Sequence, residues 1–209
     1  MSVAALRFLL TAALVIALVG AVLVALGVAT GQFHASHWAI VTDRPVERPL
    51  VWAESGGPAG MLYLSRGAMI VRTGGALQLL QILNLALIMA AVIAALWLLR
   101  KIVASIAAGL PFDRANVRRL RWLGFLFIAA FAWMAIEAAL AQWLLLDRVA
   151  LADGARLLPS ISSAAPGVEN VRIDVELDFG WLIGGLAALV LAEAFRVGTL
   201  YREDSEEVV

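Results

Sequence analysis

Few ionisable or amide side chains lie inside the apolar runs of this sequence, and these few are the first candidates for chemistry. Glu137 lies in one apolar run, and Gln78, Gln81 and Asn84 lie three residues apart in another. Together they could form a proton or ligand site, because an ionisable group in hydrocarbon is costly and usually faces the bundle interior. The amides could instead satisfy the carboxylate and fix the helix register. We favour this structural role, since one acid without a second titratable partner at that depth is too little for a transport pathway.

Glu193 and Arg196 form a second candidate pair, near the end of the last apolar run. Residues three apart share one face of a helix, so these two side chains can pair. The pair could act as a switch or docking element. It could also be a structural ion pair, or one that reaches Arg100 or Arg121, and we favour the structural interpretation.

His34 and His37, in FHASHW, are also three residues apart. Imidazoles suit zinc or copper, but two histidines do not complete a site. Acids such as Asp43 and Glu47 could add ligands, although nothing in the sequence holds them there. We therefore predict no metal and no cofactor, and His34 and His37 remain the candidates to examine.

No pattern typical of an enzyme is present. The sequence contains no cysteine and no HExxH, GxSxG or GxxxxGK[ST] motif. Neither a nucleophile with its base nor a metal set can be assembled from it. We therefore expect a protein that is not an enzyme.

The stretch GLPFDRANVRRLRWLG, Gly109 to Gly124, has five charged residues among its sixteen, in a chain that is 63% hydrophobic. Pro111 ends one helix and Asp113 is a good N-cap for the next. On that next helix Arg114, Arg118 and Arg121 share a face that can meet anionic headgroups, while Arg119 falls off it. We expect no direct nucleic-acid binding, because arginines pressed against a bilayer leave no module to enter a groove.

The elements that position these residues are predicted to be membrane helices. Only 15% of the 209 residues are charged, against about 25% in soluble domains. Four windows hold the roughly 20 apolar residues that a span needs: about 8–28, 76–99, 123–146 and 179–200. The first could be a signal peptide, but its apolar run is longer than a signal's. We predict a single, mainly α, integral membrane domain with a four-helix transmembrane bundle.

Basic residues in the connections predict the orientation. The connection between the second and third spans contains Asp113 and six cations: Arg100, Lys101, Arg114, Arg118, Arg119 and Arg121. The connection between the third and fourth spans is mainly acidic. The basic connection should therefore be cytoplasmic, which places both termini in the cytoplasm as well.

The two outer connections, residues 31–75 and 147–178, are predicted to form a small extracytoplasmic β-rich cap. Short β-like runs occupy 49–54, 60–65 and 68–73, and VRIDVELDF at 171–179 alternates apolar and charged residues as a half-exposed strand does. This strand should pair with the others, since it is not stable alone. Gly180, Gly184 and Gly185 contain a GxxxG spacing that is consistent with close helix packing.

Two stretches resemble the DUF2975 family of bacterial four-span membrane proteins. GLPFDRANVRRLRWLG is similar to that family's "PF…N…RLR…G" segment, and AEAFRVGTLYREDSEEVV at 192–209 is similar to its ending. The tail departs from the family, reading DSEEVV where a Leu-Thr pair is common. The matching positions are Pro111, Phe112, Asn116, Arg119, Leu120, Arg121, Gly124, Glu193, Phe195, Arg196, Gly198 and Leu200.

The resemblance implies a small inner-membrane protein of no established activity, often encoded beside a small helix-turn-helix regulator. We therefore expect a non-enzymatic sensor or regulatory membrane partner of such a cytoplasmic regulator. Its docking rim would comprise Arg114, Asn116, Arg118, Arg119, Arg121, Glu193 and Arg196, together with the acidic tail. The alternative is a small transporter or ion-pathway subunit that uses Glu137 with Gln81 and Asn84. Apart from the lipid bilayer, partners could include further copies of the chain.

Overall fold

Four long helices make up most of the protein in the computed structural model. They are α1 (Val3–Ala29), α2 (Gly75–Ala107), α3 (Arg114–Arg148) and α4 (Gly180–Glu207). The structure describes residues 3–30, 35–42, 51–54, 57–64, 68–72, 75–150, 156–158, 170–173 and 177–207, with side chains in 3–30, 75–145 and 177–201.

All four helices contain a stretch long and apolar enough to cross a membrane, which confirms a mainly helical chain with four candidate spans. The helices extend beyond the predicted apolar windows. α2 continues through Arg100 and Lys101 to Ala107, and α3 begins at Arg114 instead of Leu123. Arginine and lysine are good helix formers, so the backbone stays helical after the sequence turns polar.

The chain divides into two compact units, and the first comprises Met1–Leu26, Leu85–Met134 and Asp178–Val209. Small and large apolar residues alternate in its core. One buried cluster contains Ala95, Leu123 and Ala188, and a second contains Ile102, Leu120 and Ala192 with Phe195 against it. Alanine at these positions allows α2, α3 and α4 to approach closely, as small residues do in membrane helices.

α3 and α4 approach each other closely where Gly124 faces Gly185. A Cβ on Gly185 would lie 2.8 Å from Ile128 Cγ1 and 3.0 Å from the carbonyl oxygen of Gly124. The GxxxG spacing of Gly180 and Gly184 is not the source of this approach. Gly180 begins α4, where its amide donates to the Asp178 side chain at 2.8 Å, and Gly184 packs against the Phe127 ring.

α1 is the least buried helix of this unit. None of its residues is buried, and most of its large apolar side chains are exposed. The polar Thr11 is accommodated by donating its hydroxyl to the carbonyl of Arg7, one turn earlier, at 2.8 Å. Such a surface suits a lipid environment, where exposed apolar side chains are at no disadvantage.

The second unit comprises Gly27–Asn84 and Ala135–Leu177, and its described strands are two to eight residues long. They are β1 (Ala35–Thr42), β2 (Val51–Glu54), β3 (Gly57–Leu64), β4 (Ala68–Arg72), β5 (Val149–Ala150), β6 (Arg156–Leu158) and β7 (Asn170–Ile173). Their order is β5-β2-β3-β4-β1-β7-β6, and all neighbours are antiparallel except β6 and β7.

The predicted β-rich cap is not supported by this structure. The residues whose side chains are described are almost entirely helical. The strands are described by their backbone alone, which does not show a packed cap. The strand predicted at 171–179 was also too long. β7 ends at Ile173, residues 174–176 lie outside the described chain, and Asp178 serves as the cap of α4.

Candidate functional site at the α2–α3 elbow

The elbow, Ala108–Asp113, joins α2 to α3 through a well-defined helix ending. Gly109 has a φ of 77°, a left-handed conformation that glycine adopts without steric cost. The amide of Leu110 donates to the carbonyl of Ser105 at 3.1 Å, and the amide of Gly109 donates to the carbonyl of Ile106 at 3.0 Å. This pair of bonds is the Schellman motif, and Pro111 then prevents α2 from continuing.

α3 begins with the N-cap that the sequence predicts. Asp113 Oδ1 accepts from the amide of Ala115 at 3.2 Å, and the carbonyl of Asp113 accepts from the amide of Asn116 at 2.8 Å. The carboxylate thus satisfies a free amide and lies at the positive end of the helix. The prediction of Asp113 as the N-cap is confirmed.

Asn116 holds the elbow from inside. Its side chain is fully buried, with 0% of its surface exposed. Its Nδ2 donates to the carbonyls of Leu110 at 3.2 Å and Pro111 at 3.0 Å. Its Oδ1 accepts from Arg119 Nη1 at 2.7 Å, and the same nitrogen of Arg119 also reaches the carbonyl of Lys101 at 3.4 Å. Arg119, which falls off the main arginine face, therefore connects α3 to the backbone of α2.

α4 closes the other side of the elbow. The Phe112 and Phe195 rings lie 5.5 Å apart at an interplanar angle of 53°. The hydroxyl of Thr199 lies 3.2 Å from the carbonyl of Phe112 and 2.8 Å from that of Phe195, so it can donate to either. Gly198 leaves room for the Phe112 ring, because a Cβ there would lie 2.6 Å from Phe112 Cδ1. The elbow is thus tied to α2, α3 and α4.

Glu193 lies between two arginines. Its carboxylate accepts from Arg196 Nε at 2.8 Å on the same helix, and it lies 3.8 Å from Arg121 Nη2 of α3. The three side chains are about half exposed. Exposed pairs of this kind add little to stability, because water and salt screen the two charges. The contacts with Glu193 mainly orient the guanidinium groups of Arg121 and Arg196. The three side chains together have a net charge of +1.

The remaining arginines divide as the helix spacing predicts. Arg114, Arg118 and Arg121 are exposed, whereas Val117 and Leu120 on the opposite face are buried. We call the exposed set, which comprises Arg114, Arg118, Arg121, Glu193 and Arg196, the elbow surface. It offers guanidinium groups for binding anions.

Aromatic side chains near the elbow indicate a membrane boundary. Lys101 Nζ lies over the Trp97 ring, 4.1 Å from its centroid, in a cation–π contact. Trp122 is 63% exposed on α3. Tryptophan and lysine favour the level of the headgroups, where an apolar ring and a polar tip are both accommodated.

The second predicted cluster is less connected. Gln78, Gln81, Asn84 and Glu137 are all partly buried. Within the described residues, no hydrogen bond joins Glu137 to Gln78 or Gln81, whereas Asn84 has an interaction partner.

The described residues do not assemble a metal site around His34 and His37. His34 lies outside the described residues, and His37 is placed in β1 by its backbone alone. Among the described residues, no three His, Cys, Asp or Glu side chains are grouped closely enough to hold a metal ion.

Sequence reasoning missed Thr199 and the packing role of Gly198. A hydroxyl in an apolar helix usually bonds to the carbonyl four residues earlier, which gives no sign of a contact with another helix. The available clue was the Gly-Thr pair, because a small residue beside a short polar one is common where membrane helices touch.

The protein has four long apolar helices, and the elbow joins two of them, α2 and α3. These features define a multi-pass membrane protein. Residues 45–209 match the family model described as "Protein of unknown function (DUF2975)". The chain belongs to the DUF2975 family, as the elbow and α4 motifs predicted. α1 precedes the matched residues. No curated protein and no solved structure matches the chain.

Proposed function

We propose that this protein is a non-enzymatic membrane component, a sensor or regulatory partner, that docks a cytoplasmic protein on the elbow surface. The observation that carries the proposal is an elbow held by side-chain hydrogen bonds, with exposed arginines beside it. Asn116, Arg119 and Thr199 hold the backbone of this region. A preorganised surface loses less entropy on binding than a mobile one does.

The chemistry of the elbow surface favours an acidic partner. Glu193 compensates part of the charge of Arg121 and Arg196. Arg118 is exposed, and within the described residues it has no ion-pair partner. An acidic patch on a partner could therefore form an ion pair with Arg118 without displacing one that the described structure shows. A small helix-turn-helix regulator, the partner that the family resemblance suggests, would need such a patch away from its DNA-binding face.

The C-terminal end of α4 adds a second element to the proposed docking site. The helix continues past Tyr201 to Glu207 through the sequence REDSEE. The Thr199–Phe112 contact anchors α4 beside the elbow just before this acidic segment. A partner with both acidic and basic surfaces could contact the elbow surface and this segment together.

The basic residues of the elbow region suggest the orientation of the chain in the membrane. The protein would span the bacterial inner membrane, with the elbow and both termini on the cytoplasmic side. Residues 31–75 and 147–178 would then lie outside the membrane and sense or bind something there.

Changing Arg118 and Arg121 together to alanine is expected to reduce recovery of the cytoplasmic partner about tenfold, because two of the charges that would meet it are lost. The measurement is a pull-down of the full chain from solubilised membranes, with partners identified by mass spectrometry. Unchanged recovery would contradict docking at the elbow surface.

Two controls separate docking from topology. Arg118 and Arg121 changed to lysine keep the positive charge that sets orientation, so insertion should be unchanged. Arg7→Ala removes an exposed cation from the start of α1 that does not belong to the elbow surface. We expect Arg7→Ala to bind the partner as the unmodified chain does. A reporter at the C-terminus checks that each variant keeps the same orientation.

The transport alternative has a direct test in liposomes. Because Glu137 is not hydrogen-bonded to Gln78 or Gln81 in the described structure, we expect proton flux through the reconstituted protein to equal that of Glu137→Gln. The measurement uses a pH-sensitive dye inside liposomes under an imposed gradient. Flux that exceeds protein-free liposomes and disappears in Glu137→Gln would favour transport over docking.

A further inference from the structure

A cavity of about 260 Å³ lies between α2, α3 and α4, within the first compact unit. Its wall includes Ala91 of α2, Ala130, Trp133 and Met134 of α3, and Trp181 of α4. All of these residues belong to helices that qualify as membrane spans. None of them belongs to the elbow surface, so the cavity is separate from the proposed docking site.

The wall of the cavity is almost entirely carbon. It exposes practically no polar atom, although two tryptophans contribute to it. The Trp181 ring packs edge-on against Phe127, with centroids 5.5 Å apart. A ligand group that needs hydrogen bonds would lose them here without replacement, which costs several kcal/mol in an apolar environment. Sugars, nucleotides, amino acids and quinone rings are therefore poor occupants, and a hydrocarbon chain is a good one.

Alanines produce the concave shape. Ala91 lies on α2, and Ala129 and Ala130 lie together on α3, where larger side chains would fill the space. Leu87, at the edge of the cavity, is 41% exposed, so the cavity opens to the outside of the helical unit. An apolar cavity of about 150 Å³ is large enough to hold benzene. This cavity is larger, and the surroundings of a membrane span supply alkyl chains.

Filling the cavity would restore contacts that its wall otherwise lacks. Atoms that line a void have no dispersion partner on one side, and each partner gained is worth a small amount that sums over many atoms. A chain enclosed on three sides by α2, α3 and α4 makes more such contacts than one on a convex helix face. Val190 of α4, which is 70% exposed, provides such a convex face for comparison.

We infer that the cavity between α2, α3 and α4, which is lined by Ala91, Ala130, Trp133 and Trp181, is a binding site for the alkyl chain of a membrane lipid. The site explains why α3 places two alanines side by side, Ala129 and Ala130, between Leu126 and Trp133. Such a site would hold one part of a lipid in a defined place.

Photo-crosslinking of the full chain tests the inference. The protein is reconstituted in vesicles of phosphatidylethanolamine and phosphatidylglycerol that contain a phospholipid with a diazirine in its acyl chain. Peptide mass spectrometry then locates the crosslinks. We expect labelling at Met134 and Ala130 to exceed labelling at Val190 about tenfold, since a bound chain stays longer than a passing one.

Cavity-filling variants make the test specific. Ala130→Leu and, from another helix, Ala91→Leu should each reduce cavity labelling about tenfold, because the added carbons occupy the volume of the chain. Ala132→Leu, at an exposed position of α3 outside the cavity, is the matched control and should leave labelling unchanged. Thermal unfolding in detergent confirms that each variant is folded.

The source of the chain is distinguished by a second probe, a fatty acid with the same diazirine. Cavity labelling by the phospholipid identifies a phospholipid chain as the ligand. Labelling by the fatty acid alone identifies a free fatty acid. Both results support a site for an alkyl chain. Equal labelling of Met134 and Val190, or cavity labelling that survives both Ala130→Leu and Ala91→Leu, would overturn the inference.

Discussion

Gly185→Ala is expected to lower the free energy of unfolding by about 1–3 kcal/mol, the usual range for overpacking a filled interface. The new Cβ would lie 2.8 Å from Ile128 Cγ1 and 3.0 Å from the carbonyl oxygen of Gly124. A side chain can rotate away, but the backbone of α3 cannot. The two helices must separate, which also weakens the contact of Ala188 with Leu123 and Ala95.

Gly124→Ala should have a similar effect from the other helix. Its Cβ would lie 2.7 Å from Leu189 Cγ and 2.9 Å from the carbonyl oxygen of Gly185. Because each glycine faces the other's carbonyl, the first substitution already separates the helices. The double variant should therefore lose less than the sum of the single losses, by about 0.5–3 kcal/mol, as contacting residues do.

The matched control for both is Gly20→Ala on α1. Its Cβ would meet only the end of the Met89 side chain, at an ordinary 3.7 Å. Alanine in place of a mid-helix glycine should stabilise that helix by about 0.5–1 kcal/mol. Thermal unfolding of the purified chain in detergent compares the variants. A Gly185→Ala protein as stable as Gly20→Ala would show that the close approach of α3 and α4 does not matter for stability.

The helices and the elbow could be predicted because their signals are local. An apolar run long enough to span a bilayer is visible in any short window. Gly109, Pro111 and Asp113 act on the backbone within a few residues of themselves, so the end of α2 and the start of α3 follow from their order. The same holds for the exposed and buried faces of the first turns of α3, where polar and apolar residues differ clearly.

Contacts between helices could not be predicted in the same way. Inside the spans, residues that face lipid are as apolar as residues that face another helix, so the hydrophobic pattern does not mark the packing face. Val19 and Leu123 are both large and apolar, yet the first is 54% exposed and the second is buried. The sequence does not show which face of each helix packs against another helix. It therefore could not predict that Gly124 faces Gly185, or that Phe112 contacts Phe195 and Thr199.

The GxxxG pattern and the alternating strand pattern show two ways in which a local signal misleads. Gly180 fits the spacing, but it lies at the first turn of α4, where Asp178 caps the helix. The same Asp178 fits the alternation of VRIDVELDF, yet it belongs to the helix start. One residue satisfied two patterns, and the helix signal took precedence because the amides at a helix start need an acceptor.

The second large effect is expected at Asn116. Replacing it with alanine should lower the free energy of unfolding by about 3 kcal/mol, near the upper end for a buried group that leaves its partners unsatisfied. The fully buried side chain donates to the carbonyls of Leu110 and Pro111 and accepts from Arg119. Alanine fills none of these roles and leaves a small void in the elbow.

Two matched variants separate the hydrogen bonds from the packing. Asn116→Asp keeps the shape and the acceptor for Arg119, but it has no amide donor for the two carbonyls. It should be as destabilising as alanine, since oxygen then faces oxygen. Ser105→Ala removes a single bond to the carbonyl of Leu110, at 3.0 Å, and leaves Asn116 bonded to that carbonyl. It should lose only about 0.5–1.5 kcal/mol.

Unfolding in detergent at neutral pH measures these differences, and the pull-down gives a second reading. Asn116→Asp leaves the exposed guanidinium groups of the elbow surface in the sequence but releases the backbone that positions them. If docking depends on that rigidity, partner recovery should fall in this variant at a temperature where the protein is still folded. Asn116→Ala and Ser105→Ala proteins of equal stability would contradict the role of Asn116 as the residue that holds the elbow. The elbow would then be stabilised by the Phe112–Phe195 packing and the Thr199 bond instead.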